Sequence, residues 1–278
     1  MIENSRISLN RIICPSLELE NFFKLTAELG LQKVELRNDL PGRGIIDGKA
    51  PSEVNDLCRK YNIRILTINA LQKFNLAENR SKAVDELKEL INLALAIDCP
   101  AIVLCPNNDT EDRRDPETIF KETVAALKSF APLFEGSGLQ GYVEPLGFAE
   151  SSISSLITAM QAIQESSSPN YRIVHDTFHH YLGPDNLDQL KRDYDISYTG
   201  LVHMSGVESA IPRLKFRDEH RVMITAADRL KNLDQIAWLK ECGYRDDFSF
   251  EPFAREVQNL NAVELKLAVR RSIDFINR

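Results

Sequence analysis

The chain is poor in cysteine, and what it has does not pair. Cys14, Cys58, Cys99, Cys105 and Cys242 are odd in number, widely spaced and form no Cys-x-x-Cys, which argues against a disulfide framework and against a zinc ribbon. They read as reduced thiols packed inside the protein. Cys105, beside Pro106-Asn107-Asn108 at the end of an apolar run, is the one with a catalytic alternative, but no adjacent base or helix N-terminus in the sequence lowers its pKa. Long apolar runs are missing as well: none reaches the ~20 residues of a membrane span. The start Met1-Ile2-Glu3-Asn4-Ser5-Arg6 lacks the basic-then-apolar layout of a signal peptide, so the expected location is the cytoplasm. Positive charge is in deficit, with 34 Lys and Arg against 41 Asp and Glu and a net charge of -7. That excludes a broad electropositive surface for nucleic acid or anionic membrane and leaves a small molecule as the natural partner. Finally, no Gly-x-Gly-x-x-Gly follows the first apolar strand, where Asn10-Arg11-Ile12-Ile13-Cys14-Pro15 stands instead, and this disfavours an open dinucleotide-binding sheet.

What is present is alternation. Short apolar runs, expected as strands over Arg6 to Asn10, Lys33 to Arg37, Ile63 to Asn69, Ala101 to Cys105, Gln140 to Glu144, Arg172 to Asp176, Tyr198 to His203 and Asp247 to Glu251, are separated by amphipathic segments. Val84, Leu87, Leu90, Ile91, Ala94 and Leu95 fall on one helical face, with Lys82, Glu86, Lys88 and Glu89 largely on the other. Gly30 and Gly243 sit where a left-handed residue ends a helix just before a strand. Runs such as Ala101-Ile102-Val103-Leu104 are apolar on both faces, as parallel strands covered by helices on one side and a barrel interior on the other must be. With no Pro, Gly or Ser-rich linker, the expectation is an α/β chain forming one (β/α)8 TIM barrel over residues 1–278, a size that fits the ~250 residues typical of that fold.

The strand ends carry the chemistry. In order they offer Asn10, Glu35 with Arg37, Asn69 with Gln72 and Lys73, Asn107 with Asn108, Glu144, Asp176 with His179 and His180, His203, and Glu251. Buried strand ends do not collect polar groups without partners for them, and a barrel gathers its strand ends at one rim, where such enzymes work. Glu144, Asp176, His203 and Glu251 fall on four successive strands. Three carboxylates crowded together would repel one another unless a cation neutralised them. A donor set of three oxygens and one imidazole nitrogen suits one divalent ion, Mn²⁺, Mg²⁺, Co²⁺ or catalytic Zn²⁺.

Glu144, Asp176 with His179 three residues on, His203 and Glu251, in this order at the ends of strands five to eight, resemble the metal site of the xylose-isomerase-like barrel superfamily. The segment from Asp228-Arg229-Leu230 through Leu233-Asp234-Gln235-Ile236 and Gly243-Tyr244 to Ser249-Phe250-Glu251-Pro252-Phe253 looks most like its small inosose-isomerase-type and uncharacterised sugar-isomerase members. The resemblance implies Glu144 and Glu251 as a catalytic acid/base pair that also binds the ion, Asp176 and His203 as further ligands, and His179 on a substrate oxygen. The implied reaction is isomerisation or epimerisation of a polyhydroxylated ketone, an inosose or a ketose-like sugar. The alternatives are an inosose-type dehydratase on the same metal site and a sugar-binding barrel without catalysis. Homo-oligomerisation stays open.

Further substrate contacts are expected from Asn69 at its strand end, from one of the two arginines Arg217 and Arg221, with Arg221 preferred, and from Phe178. Phe148, Phe178 and Phe253 each follow a proposed ligand by a few residues and are expected to wall a pocket. His175, one residue before Asp176, should point the other way by strand alternation and is expected to be structural. His180 is expected at the surface of a loop, and Trp238 and Phe22-Phe23 in helix-to-barrel packing.

Overall fold

The computed structural model describes all 278 residues. Eight strands, β1 (Ile7–Asn10), β2 (Lys33–Arg37), β3 (Arg64–Leu71), β4 (Ala101–Leu104), β5 (Gln140–Val143), β6 (Tyr171–Asp176), β7 (Thr199–Met204) and β8 (Asp247–Phe250), pair in parallel in sequence order. β8 returns to pair with β1 and closes the barrel. Helices α1 (Leu19–Glu28), α2 (Pro51–Tyr61), α3 (Arg80–Ala96), α4 (Pro116–Ser137), α5 (Leu156–Ser166), α6 (Thr177–Leu182), α7 (Leu187–Asp193), α8 (Asn232–Glu241), α9 (Arg255–Gln258) and α10 (Ala262–Ile276) fill the connections. The barrel is therefore as expected. Strand ends move by a residue or two, so that β3 runs on to Leu71 while Glu144 and Glu251 stand just past β5 and β8. No helix is long and apolar enough to cross a membrane.

Alternation along each strand divides two environments. Leu9, Val34, Leu36, Ile68, Val143, Ile173, Val202, Phe248 and Phe250 join the large apolar layer between sheet and helices. The residues between them face the barrel axis, where Ala70, Val103, Cys105, Val174 and Leu201 form a small apolar plug. Toward the carboxyl ends that inward face turns polar and stays buried: Asn10, Glu35, Arg37, Thr67, Asn69, Asp176, His203, Glu144 and Glu251.

One buried amide fastens the wall to its helices. Gln235 of α8 donates through Nε2 to the carbonyls of Thr177 and Leu230, 3.0 and 2.9 Å. Its Oε1 therefore only accepts, from His175 Nε2 at 3.2 Å and His180 Nδ1 at 2.7 Å. His175 does face the helices, against Trp238. His180 is a correction: it lies buried in α6, not on a surface loop.

Candidate metal centre and active site

Local sequence aims each side chain. Asp176 is the N-cap of α6: its Oδ1 accepts from the Phe178 and His179 amides at 2.7 and 3.1 Å, the ordinary role of Asp at a helix start. That commitment leaves Oδ2 for the rim. His203 is paired in register with Asp176 on the neighbouring strand, which puts both on the inner face at the same height. Glu144 and Glu251 enter from the first residues after their strands. One ligand atom from each of the four lies within 4.8 Å of all the others, and all four residues are buried.

The His203 ring is the hub. Its Nδ1 lies 2.9 Å from Glu144 Oε1, 3.2 Å from Glu251 Oε2 and 4.0 Å from Asp176 Oδ2. Its Nε2 lies 3.0 Å from Glu35 Oε2. Burial alone would lower the pKa of the ring, but Glu251, Glu35 and Glu144 around it raise it well above the histidine range.

The carboxylates also have guanidinium partners. Arg37 Nη1 donates to Glu251 Oε1 at 2.6 Å, and Arg221 Nη2 donates to Glu251 Oε2 at 2.8 Å and Asp176 Oδ2 at 2.6 Å. Burial works to raise Glu251, yet His203, Arg221 and Arg37 hold its carboxyl well below the usual carboxylate range. Asp176 goes the other way, because burial outweighs Arg221. The bare repulsion expected from the sequence is thus partly answered by the chain's own arginines. Even with His203 charged, the four buried carboxylates Glu35, Glu144, Asp176 and Glu251 against Arg37, Arg221 and His203 leave a negative charge, and a ring that gave up its Nδ1 proton to bind an ion would leave two. A divalent ion at the converging atoms fits both that balance and the hard donor set.

The matching family model describes a xylose isomerase-like TIM barrel and covers residues 23–278. The chain belongs to that family. Among solved structures, a xylose isomerase domain containing protein from Salmonella typhimurium LT2 is 38% identical, with a TM-score of 0.93 over 100% of this chain and 99% of that one. The IolI protein with a binding zinc atom has a TM-score of 0.86 at 23% identity over 96% of each chain, which shows the shared fold. The inosose isomerase of Bacillus licheniformis is 25% identical over 221 residues, 78% of each protein.

In this xylose isomerase-like barrel the rim opens into a cleft of about 360 Å³, lined in part by Asn69, Glu144, His179, Arg221, Glu251 and Phe253. His179 is brought there by a close approach: its Nδ1 accepts from the Gly147 amide at 3.1 Å, and a Cβ on Gly147 would stand 2.0 Å from the His179 carbonyl oxygen. Burial, aided by Arg221, lowers the His179 pKa to about 4. The ring is therefore neutral with its proton on Nε2, the edge left free to donate. Arg221 is the arginine that enters the site, while Arg217 lies over Phe148. Asn69 reaches the cleft, but its Nδ2 is held by Glu35 and Thr67.

Phe178 is a second correction. It is fully buried and does not line the cleft, packing behind it against Phe148, with the Arg221 guanidinium 5.0 Å from its ring centroid. Its place just after an N-cap Asp turns it into the core. Phe148 and Phe253 do line the cleft. Glu35, Arg37 and Asn10 were visible as polar strand ends, yet nothing in the sequence assigned them to the centre. Cys105 is a packed thiol at the cleft, its Sγ 3.6 Å from Glu144 Oε2. Burial and then Glu144 raise its pKa well above the ordinary thiol value, so it stands as a donor rather than a nucleophile.

Proposed function

We propose that this chain is a divalent-metal-dependent isomerase or epimerase of a neutral polyhydroxylated ketone, an inosose or a ketose sugar. The observation that carries the reading is the convergence of Glu144, Asp176, His203 and Glu251 beneath a cleft that also presents the His179 Nε2–H. The inosose isomerase of Bacillus licheniformis and the zinc in IolI support the same reading. These four residues would hold an ion that supplies charge to polarise a substrate carbonyl and its neighbouring hydroxyl.

The remaining chemistry belongs to side chains. Removing a proton beside a carbonyl needs a base, and returning it to the neighbouring carbon or the other face needs an acid. Glu251 has a guanidinium on each oxygen and is the poorer acceptor. Glu144 is held only by His203 and a thiol, so it is assigned the proton removal. Glu144, then protonated, returns the proton to the neighbouring carbon, while Glu251, fixed between its arginines, orients the intermediate. For epimerisation Glu251 would take a proton from solvent and deliver it to the other face as Glu144 gives up its own. His179 donates to a substrate oxygen from Nε2. A neutral substrate is favoured because the cations at the cleft are already engaged: Arg37 with Asp39 and Glu251, Arg221 with Asp176 and Asp218, Lys73 with Asp109. No arginine or lysine there is left over for a phosphate.

Incubation of inososes, ketohexoses and hydroxypyruvate with Mn²⁺ or Zn²⁺ in D₂O tests this. The expected result is a product of unchanged covalent framework carrying solvent deuterium, with hydroxypyruvate a poor substrate. Loss of one water would instead make the protein a dehydratase, and absence of turnover across the panel would remove the isomerase reading.

A further inference from the structure

Glu35 has no part in the converging quartet, and its environment is unusual for a core residue. It sits mid-strand in β2 with a fully buried side chain. Its Oε2 accepts from Thr67 Oγ1 at 2.6 Å and Asn69 Nδ2 at 3.0 Å, and its Oε1 accepts from Asn10 Nδ2 at 3.3 Å. Neither lysine nor arginine pairs with it. Its one charged partner is the His203 ring, reached across the barrel from β2 to β7. A buried carboxylate without a guanidinium or ammonium is costly, and an amide or a leucine there would fill the barrel without that cost.

We infer that Glu35 is a positioning residue that fixes the tautomer of His203, so that Nε2 carries the proton and the Nδ1 lone pair faces Glu144, Asp176 and Glu251. The inference rests on the metal-centre reading above. The geometry leaves little freedom. Three side-chain donors from β1 and β3 hold the Glu35 oxygens in place as acceptors, and His203 Nε2, 3.0 Å away, meets one of them. A nitrogen facing a fixed acceptor carries the hydrogen. Nδ1 also faces carboxylates, but these are the ones an ion would share, so in the neutral ring that binds it Nε2 keeps its proton on Glu35 and Nδ1 is the nitrogen left bare. Only Nδ1 is turned toward the quartet. An ion needs that lone pair, and a carboxylate on the far nitrogen both orients the ring and makes it a stronger donor. Glu35 thus selects which ring nitrogen ligates, and β1 and β3, which contribute no ligand, act on the centre through it.

Two measurements test this. Zn²⁺ affinity is read by chelator competition for wild type, Glu35→Gln and Thr67→Val, with the melting temperature of each metal-free protein followed in parallel. Glu35→Gln should weaken binding about 10- to 100-fold, and Thr67→Val, which removes one anchor of Glu35 without touching His203, should weaken it less. Independently, long-range ¹H–¹⁵N spectra of ¹⁵N-histidine-labelled, zinc-loaded wild type should show His203, identified by its loss in His203→Asn, with a proton on Nε2 and zinc on Nδ1. The spectrum needs no variant at Glu35, so the test survives if Glu35→Gln fails to fold. Wild type that binds no zinc removes the metal-centre reading and this inference with it. Zinc bound through Nε2, or Glu35→Gln with wild-type affinity and an unchanged His203 spectrum, overturns the inference and leaves the metal centre standing.

Discussion

The two halves of this barrel do different work with similar residues. The half from β5 to β8 supplies Glu144, Asp176, His203 and Glu251, whose donor atoms converge. The half from β1 to β4 supplies Asn10, Glu35, Arg37 and Asn69, and none of these joins the quartet. Instead Asn10 and Arg37 grip Glu251, Glu35 meets His203, and Asn69 holds Glu35. On the proposed reading, one half presents the ligands and the other aims them. A closed barrel makes this division natural, because β1 closes against β8 and the longer side chains of β2 reach across the axis to His203 and Glu251.

The comparison can be broken most sharply at the glutamates. Glu144→Gln and Glu251→Gln should each lower turnover of the identified substrate by ~10³-fold or more, since an amide at 144 cannot accept the proton and one at 251 loses the carboxylate charge that Arg37 and Arg221 fix beside the intermediate. Steady-state kinetics with metal content measured alongside checks this, and near-normal turnover in Glu144→Gln would move the base elsewhere. Next come the pure ligands. Asp176→Asn and His203→Ala should weaken Zn²⁺ or Mn²⁺ binding by more than the ~10- to 100-fold expected for losing an outer partner, as titration calorimetry would show. Equal losses in Asn10→Ala would erase the distinction between the halves.

Arg37→Met tests the aiming half from the other direction. It strands Glu251 beside one guanidinium instead of two, and breaking such a buried pair costs about 3–5 kcal/mol of stability, measurable by urea denaturation of the metal-free protein. Smaller again is Phe178→Leu. As a core residue behind the cleft it should lose about 1–2 kcal/mol to a partial cavity and leave KM unchanged, whereas a raised KM would return it to the substrate.

The smallest effect is a pH dependence outside the cleft. Burial, then the neighbouring His180, lowers His175 to about 3, and burial lowers His180 too. Both rings are neutral in the folded protein, while in the unfolded chain they titrate near 6.5. Below that pH the unfolded chain takes up protons that the folded one refuses, so stability should fall as pH drops from 6.5 toward 3. His180→Gln should show a shallower loss between pH 6.5 and 5 in denaturation midpoints, with metal affinity at pH 7.5 unchanged.

The fold and the converging quartet were legible because both are written locally. Eight apolar runs alternate with amphipathic segments, and each member of the quartet closes a run. The aiming half was not legible: Glu35 reaches His203 across 168 residues, Arg37 reaches Glu251 across 214, and Asn10 reaches it across 241. No periodicity reports such a pairing. Phe178 failed for a subtler reason, since its distance from Asp176 in sequence says it is near the site but not on which side of a short helix it falls.

Asp176 and His203 stand opposite each other in register, on strands whose every second residue looks outward into the helices. The centre therefore has a parity. Rim loops beyond Glu144 and Glu251, and outside the segment that carries Arg221, can lengthen or shorten without shifting this register, but one residue inserted in β6 or β7 ahead of these positions would turn the side chain into the apolar layer, and a second insertion would turn it back at the wrong height. Evolution of this chain is free at its mouth and counted in steps of two along its staves.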